Sequence, residues 1–126
     1  MKIPSSLKYA ESNEWISADG KIGITDFAQS QLSDVVFFEA VVAIGDTIKK
    51  GDIIATVESV KAAADVYAPA GGKVTAVNED LPGTPDTLNR DPYGAAWMIQ
   101  LELGDPAELA ALMDAASYEK HCEEQS

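Results

Sequence analysis

A lysine between two strand-like segments is the residue best placed for chemistry in this sequence. Lys61 follows residues 57–60 (VESV) and precedes the small residues 62–64 (AAA), and residues 64–68 (ADVYA) then alternate. Alternation on both sides predicts two strands of a hairpin with the lysine at its exposed bend. An exposed amine with small neighbours is accessible to an enzyme that acylates it, and acylation removes its charge.

Three roles are compatible with an exposed Lys61. The commonest fate of a lysine is a solvated surface position. A catalytic Schiff-base amine needs a pKa lowered by desolvation or by a nearby cation, whereas Glu58 and Asp65 favour the ammonium form. Attachment of a carrier group has no such requirement, and a tether on a rigid hairpin keeps its reactive end near a docked enzyme. The sequence therefore disfavours catalysis by Lys61.

The composition is that of a folded and strongly acidic protein. The 126 residues are 46% hydrophobic and carry a formal net charge of -12. Trp15 and Trp97 are expected to anchor the core. The charge opposes binding to nucleic acid and to anionic membranes, and it could steer the protein toward basic enzyme surfaces. A single cysteine, with neither a signal sequence nor a membrane span, predicts a cytoplasmic protein; a matured mitochondrial chain is the alternative.

Short apolar segments separated by turn residues predict a mainly β fold. The Asp19-Gly20 pair is typical of a hairpin turn, and residues 79–93, with several prolines, are expected to form a surface loop. Residues 35–38 (VVFF) are expected to form a buried strand. Further strands are predicted at residues 53–58, 64–68, 73–77 and 97–103.

Capping patterns predict two helices. Thr25 is a suitable N-cap for a short helix that begins at Asp26. Asp105 is a suitable N-cap for a C-terminal helix over about residues 106–118, and Glu108 stands where a capping box has its acidic member.

The end of the chain is predicted to be a frayed acidic tail. Within residues 119–126 we expect His121 to be solvated and Cys122 to be a free thiol. Residues 86–91 have acidic spacing but lack the glycine and terminal glutamate of a calcium loop, so we expect no metal site. No linker divides the sequence, and we assign residues 1–126 to one domain.

Seven segments of this chain, in the same order along nearly its whole length, resemble the H protein of the glycine cleavage system, a lipoyl carrier. They are residues 9–15 (YAESNEW), 22–29 (IGITDFAQ), 34–39 (DVVFFE), 57–62 (VESVKA), 89–94 (NRDPYG), Trp97 and 105–109 (DPAEL). No one of these motifs is decisive by itself, but together they are specific.

The resemblance implies a fold and a prosthetic group. The fold is a barrel-sandwich hybrid of two antiparallel sheets with short peripheral helices and a C-terminal helix. The group is lipoate, attached to Lys61 as N6-lipoyllysine. Biotin carriers share this architecture but usually have methionine on both sides of their lysine. Val60 and Ala62 stand there in this chain, so a biotinyl carrier is the weaker alternative.

The resemblance also implies a non-catalytic carrier that visits three enzymes. The arm would take the aminomethyl group of glycine from a pyridoxal-phosphate glycine decarboxylase (P component) to a tetrahydrofolate-dependent aminomethyltransferase (T component). Dihydrolipoyl dehydrogenase (L component) would then re-oxidise the arm. A lipoate-attaching enzyme would load the chain, which we expect to be a monomer. The chemistry belongs to the prosthetic group and to the partner enzymes.

In this family the loaded arm folds into a surface cleft, and Ser12, Glu14 and Asp65 match residues in or near it. Carboxylates there suit a cationic amine. The family usually has histidine at the position of Asn13, and residues 39–45 lack a common proline and are one residue longer. These departures leave open an H-like relay protein that passes lipoyl groups to other 2-oxoacid dehydrogenase complexes.

Overall fold

The computed structural model describes residues 1–125, and its strands form two antiparallel sheets. The larger sheet has the order β1 (Lys8–Tyr9), β2 (Glu14–Ile16), β3 (Lys21–Ile24), β9 (Ile99–Leu103), β8 (Gly72–Val77) and β5 (Thr47–Ile48). The smaller sheet has the order β4 (Val35–Ala40), β6 (Ile53–Ser59) and β7 (Ala63–Tyr67). The helices are α1 (Asp26–Leu32), α2 (Thr87–Arg90), α3 (Pro106–Ala110) and α4 (Ala115–Gln125). The mainly β, two-sheet prediction is confirmed, and neither sheet closes on itself within residues 1–125.

The main core draws on strands of both sheets. Its fully buried side chains include Ile22, Ile54, Val57, Leu81, Leu88, Met98 and Ile99. The pairing of β6 with β7 shifts register between Ile53 and Ala55. This irregularity interrupts the alternation, so that Ile54 and Ala55 are both buried while Ile53 faces solvent. Burial of each large aliphatic side chain stabilises the fold by roughly 1.5–3 kcal/mol.

Strand β4 departs from the predicted pattern of burial. Val35 and Phe38 are buried, but Val36 is 57% exposed and Phe37 is 40% exposed. The expectation of a strand is therefore confirmed, whereas full burial of residues 35–38 is wrong. The cause is a register shift between Val35 and Phe37 in the pairing with β6, a bulge that turns two successive side chains outward.

Residues 79–93 are not a simple surface loop. They contain a 3-10 helix at Leu81–Gly83 and the short helix α2, and Leu81 and Leu88 are buried in the main core. Asn89 also ties this segment to β4, because its Oδ1 accepts a hydrogen bond from the Val35 amide at 2.8 Å. The prediction failed because two leucines spaced across proline-rich turns show no helical or strand periodicity.

The predicted C-terminal helix is two helices. Helix α3 ends at Ala110 and α4 begins at Ala115, so a single helix over residues 106–118 is wrong. Between them Met113 and Tyr9 exchange backbone hydrogen bonds of 2.9 Å in both directions. The side chain of Asp114 then accepts the Ser117 amide at 2.9 Å, which is the capping contact of a new helix.

The acid predicted to complete a capping box has a different partner. Asp105 Oδ1 accepts the Ala107 amide at 2.9 Å, so the predicted N-cap of α3 is confirmed. Glu108 Oε1 instead accepts the Gly71 amide at 2.9 Å and so joins α3 to the turn before β8. The carboxylate satisfies a distant turn because the chain brings that turn beside the helix.

The end of the chain is ordered and packed, so the predicted frayed tail is wrong for the described residues; Ser126 lies outside them. Helix α4 continues to Gln125. Cys122 is 1% exposed and joins a second apolar cluster with Tyr9, Trp15, Phe27 and Tyr118. A ring nitrogen of His121 is 2.9 Å from the Glu11 carbonyl, so this histidine is bonded to the protein rather than fully solvated.

Trp15 is a member of this second cluster, and Trp97 packs against its edge. The indole of Trp15 is 2% exposed and donates a hydrogen bond of 2.9 Å to the Pro92 carbonyl. Trp97 is half-buried under the Lys21 ammonium, whose nitrogen is 5.6 Å from the ring centroid. The prediction of core anchors is confirmed for Trp15 and holds in part for Trp97. Among residues 1–125 no helix has the length and apolarity needed to cross a membrane.

Candidate functional site

Lys61 lies in the bend between β6 and β7, as the alternating pattern predicts. Ser59 shapes this bend, because its Oγ accepts the Ala62 amide at 3.0 Å and the Lys61 amide at 3.3 Å. The Ser59 amide donates to the Ala62 carbonyl at 2.7 Å, and the Val60 amide donates to the backbone carbonyl of Asp34 at 3.0 Å. The backbone under the lysine is therefore fixed by several hydrogen bonds while the residue itself is exposed.

The surroundings of Lys61 suit an acylated amine. Within residues 1–125 no ion pair engages its side chain. Ala62 and Ala63, next to it, are exposed and small. An amide at the tip of this side chain would extend into solvent, so its formation buries no charge and displaces no partner. The residues present thus fit a prosthetic group joined through Lys61.

A cleft of 190 Å³ lies beside the hairpin. One wall is the turn and start of β2, with Ser12, Asn13 and Glu14; a second is α1, with Ala28, Gln31 and Leu32; the third is β7, with Ala64, Asp65 and Val66. The three predicted site residues Ser12, Glu14 and Asp65 therefore line one cleft. Lys61 does not line it but lies on the same hairpin, four positions before Asp65.

Glu14 is the buried acid of the cleft. Its side chain is 2% exposed; Oε1 accepts from the Ser12 hydroxyl, and Oε2 accepts from the Tyr67 amide at 3.2 Å. Burial raises the pKa of Glu14 to about 7, although both hydrogen bonds act in the opposite direction. A carboxyl with this pKa changes its charge near neutrality, so a cation in the cleft would favour the ionised form.

Asp65 is the exposed acid of the cleft. It pairs with Thr56 across the hairpin, and its side chain also borders a shallow surface depression shared with Glu58. Solvent reaches this carboxylate, so its attraction for a cation is weaker than that of a buried one. The two acids therefore differ in kind, one desolvated inside the cleft and one solvated at its rim.

The sequence reading missed the apolar wall and the support behind it. Ile24 at the end of β3 and Ala28 and Leu32 on α1 give the cleft an aliphatic surface. The helical spacing of Ala28 and Leu32 indicates an apolar face of α1, but not that this face lines a cleft. Asn13 has a φ of 73° and its Oδ1 accepts from the Tyr118 hydroxyl at 2.9 Å. No local pattern indicates that contact, because Tyr118 is 105 positions away.

A second groove and the acidic segment 86–91 add no residue to the site around Lys61. A larger groove of 520 Å³ beside Tyr9, Leu112 and Met113 shares Ser12 with the cleft. The part of the chain that is described holds no group of three or more His, Cys, Asp or Glu side chains suited to a metal. In the acidic segment 86–91, Asp86 pairs with Arg90 at 3.2 Å.

Comparison with known proteins places these residues in a family setting. The profile described as glycine cleavage H-protein matches residues 7–125. The glycine cleavage system H protein of Koribacter versatilis is 54% identical over 126 residues, covering 100% of this chain and 98% of its own. That of Carboxydothermus hydrogenoformans is 50% identical, covering 98% and 96%. A crystal structure of the H protein from Mycobacterium marinum superposes with a TM-score of 0.81 at 32% identity, covering 94% and 97%.

Proposed function

The chain belongs to the glycine cleavage H-protein family, and from that premise we propose that Lys61 is its lipoyl attachment site. The protein is a lipoyl carrier of the glycine cleavage system. The observation that carries the proposal is the position of Lys61 at the exposed tip of a hydrogen-bonded hairpin in a chain matched over nearly its full length.

The hairpin supplies attachment and reach. A lipoyl group bound there would provide a dithiolane that can accept a one-carbon amine unit and two electrons. The bend held by Ser59 keeps the Lys61 backbone rigid, so the enzyme that loads the arm meets a preorganised segment. The small side chains of Ala62 and Ala63 leave room for that enzyme's active site.

The cleft supplies storage for a cationic load. Ile24, Ala28 and Leu32 offer apolar contact to a hydrocarbon chain, and Glu14 offers a desolvated carboxylate to an ammonium group. Ser12 orients that carboxylate by donating a hydrogen bond to it from its hydroxyl. Asp65 adds negative charge at the rim. We assign the four polar and charged roles accordingly: Lys61 attaches, Glu14 binds the amine, and Ser12 and Asp65 support it.

The partners follow from the carrier role. We infer that the chain delivers the aminomethyl unit from the P-component decarboxylase to the T-component aminomethyltransferase, and that the L-component dehydrogenase re-oxidises the arm. The chain itself performs none of these bond changes, because its own residues bind, orient and shield. It acts as a single monomeric domain, and its net charge of -12 suits basic docking surfaces on those enzymes.

The glycine role is tested by reconstitution. Lipoylated protein is mixed with purified glycine decarboxylase, glycine and labelled bicarbonate, and label exchange into glycine is measured. We expect saturable exchange with the wild-type protein and none with Lys61→Arg. A fully lipoylated protein that supports no exchange, yet passes lipoyl groups to a 2-oxoacid dehydrogenase acceptor domain, would replace this proposal with the relay function.

A further inference from the structure

The hydroxyl of Tyr118 lies behind the cleft and connects the N-cap of α1 to Asn13, a residue of the cleft wall. Tyr118 is fully buried on α4, and its oxygen is 2.6 Å from Thr25 Oγ1 and 2.9 Å from Asn13 Oδ1. Thr25 is the N-cap of α1, and Asn13 lies between Ser12 and Glu14. The carrier function described above gives no role to this tyrosine or to helix α4.

The donor and acceptor of each hydrogen bond around Tyr118 can be assigned in only one way. A tyrosine hydroxyl has a single proton, and here it is donated to the side-chain oxygen of Asn13. The Thr25 hydroxyl must therefore donate to the Tyr118 oxygen, while Thr25 Oγ1 accepts the Ala28 amide at 3.1 Å. Three hydrogen bonds thus run in one series: the Ala28 amide donates to Thr25, the Thr25 hydroxyl donates to Tyr118, and the Tyr118 hydroxyl donates to Asn13.

The chain of hydrogen bonds ends on a strained residue. Asn13 has a φ of 73°, a left-handed conformation that asparagine tolerates better than most residues. Its carbonyl also accepts the Thr25 amide at 3.1 Å. Because Ser12 and Glu14 flank Asn13, a rotation at this residue would move both of them relative to α1.

We propose that Tyr118 is a positioning residue of the cleft, through which helix α4 fixes Ser12 and Glu14 against the α1 wall. The use of the cleft by an arm on Lys61 rests on the function proposed above, but the positioning itself belongs to the unmodified protein. In the absence of the Tyr118 hydroxyl, Asn13 loses its buried donor and the turn from Ser12 to Glu14 loosens. Water then reaches the Glu14 carboxyl.

Tyr9 provides a matched control for simple core packing. Its ring is stacked on that of Tyr118, with centroids 4.6 Å apart and planes 9° apart, and both side chains are fully buried. The Tyr9 hydroxyl donates to the Pro4 carbonyl, which does not line the cleft. Tyr118→Phe and Tyr9→Phe both keep the aromatic stack, and each loses one hydroxyl. The two variants differ because Tyr118→Phe removes the hydrogen bond to Asn13, whereas Tyr9→Phe removes the hydrogen bond to Pro4.

The test follows the titration of Glu14 in the unmodified full-length protein, by NMR of carbon-labelled glutamate side chains. The cleft lining has Glu14 and Asp65 as its titratable groups. In the wild type burial raises the pKa of Glu14 to about 7. In Tyr118→Phe we expect it to move toward the ordinary value as water stabilises the carboxylate, with proton affinity about tenfold weaker. Tyr9→Phe should titrate as the wild type does.

A second variant keeps the test decisive if Tyr118→Phe does not fold. Asn13→Gly removes the acceptor, and glycine accommodates the positive φ. We expect it to weaken the proton affinity of Glu14 as well. The proposal is overturned if both variants titrate like the wild type, or if Tyr9→Phe shifts Glu14 equally. Because no step requires lipoylation, failure of the carrier proposal leaves this result unaffected.

Discussion

The Glu14 carboxylate accepts a hydrogen bond of 3.2 Å from the backbone amide of Tyr67, which joins β2 of the larger sheet to β7 at the edge of the smaller one. An edge strand has unpaired amides, and here one of them is satisfied by the acid of the cleft. The same contact therefore covers a sheet edge and orients a buried carboxylate. The position of Glu14 is thus part of the fold, not a detail of a loop.

Glu14 should make the stability of the protein depend on pH. Its folded pKa of about 7 lies above the ordinary 4.5, so the folded state retains the proton more strongly. The stability that it contributes is complete below pH 4.5 and is lost as the pH rises through 7. The loss is on the order of 3 kcal/mol, from about 1.4 kcal/mol for each pKa unit. Urea unfolding from pH 4 to 8 measures it.

The variant Glu14→Gln isolates this contribution. Glutamine does not ionise in this range, and the two proteins share all other charges. The difference in free energy of unfolding between wild type and variant should therefore change with pH. Glu58→Gln, which removes an exposed acid, serves as the control and should follow the wild type. Parallel curves for wild type and Glu14→Gln between pH 4 and 8 would contradict a buried, proton-retaining Glu14.

Gly23 should tolerate no side chain. A Cβ built there would lie 2.8 Å from three atoms of the Trp15 indole, which is itself held by Pro92. We expect Gly23→Ala to lower the free energy of unfolding by about 1–3 kcal/mol, because the buried indole must shift. Gly83→Ala is the matched control, since a Cβ there has no neighbour within 4 Å, and it should change stability by about 0.5 kcal/mol or less. Equal effects in urea unfolding would argue against this contact.

Cys122 should react slowly in the native protein. Burial raises the pKa of its thiol and removes it from solvent. We expect a thiol reagent to modify it about 100-fold more slowly in the folded than in the unfolded chain, since α4 must first open. Glu119→Cys in a Cys122→Ala background places a thiol on the exposed side of the same helix and should react fast. A fast native reaction at Cys122 would mean that α4 does not stay packed.

Asp65 should matter more than its neighbour Glu58 for handling the loaded arm. Both acids are exposed near Lys61, but Asp65 lines the cleft and Glu58 does not. In glycine–bicarbonate exchange we expect Asp65→Asn to lower kcat/KM about two- to fivefold, the range of a solvated charge interaction. Glu58→Gln should stay within about twofold. A larger effect of Glu58→Gln would shift the rim of the site away from Asp65.

Local signals in the sequence predicted the hairpin and the first helix well. The bend at Lys61 and the cap at Thr25 depend on residues within a few positions, and the structure confirms both. The resemblance added Ser12, Glu14 and Asp65, which the fold brings to one cleft.

Long-range contacts account for what the sequence did not predict. The helix break before α4 depends on the pairing of Met113 with Tyr9, and Glu108 bonds to the distant Gly71 amide instead of making the predicted capping contact. The exposure of Phe37 follows from a bulge that no alternation pattern encodes. The acidic composition of the tail predicted that it would fray. Burial of Cys122 instead requires the tail to pack back against β1 and β2.

Intact mass after enzymatic lipoylation tests the central claim most directly. Unmodified protein is incubated with a lipoate-attaching enzyme, lipoate and ATP, beside Lys61→Arg and the exposed-lysine control Lys50→Arg. Wild type and Lys50→Arg should each gain the mass of one lipoyl group, mapped to Lys61 by peptide analysis, and Lys61→Arg should gain none. No gain in the wild type, or an equal gain in Lys61→Arg, would contradict the assignment of Lys61 as the attachment site.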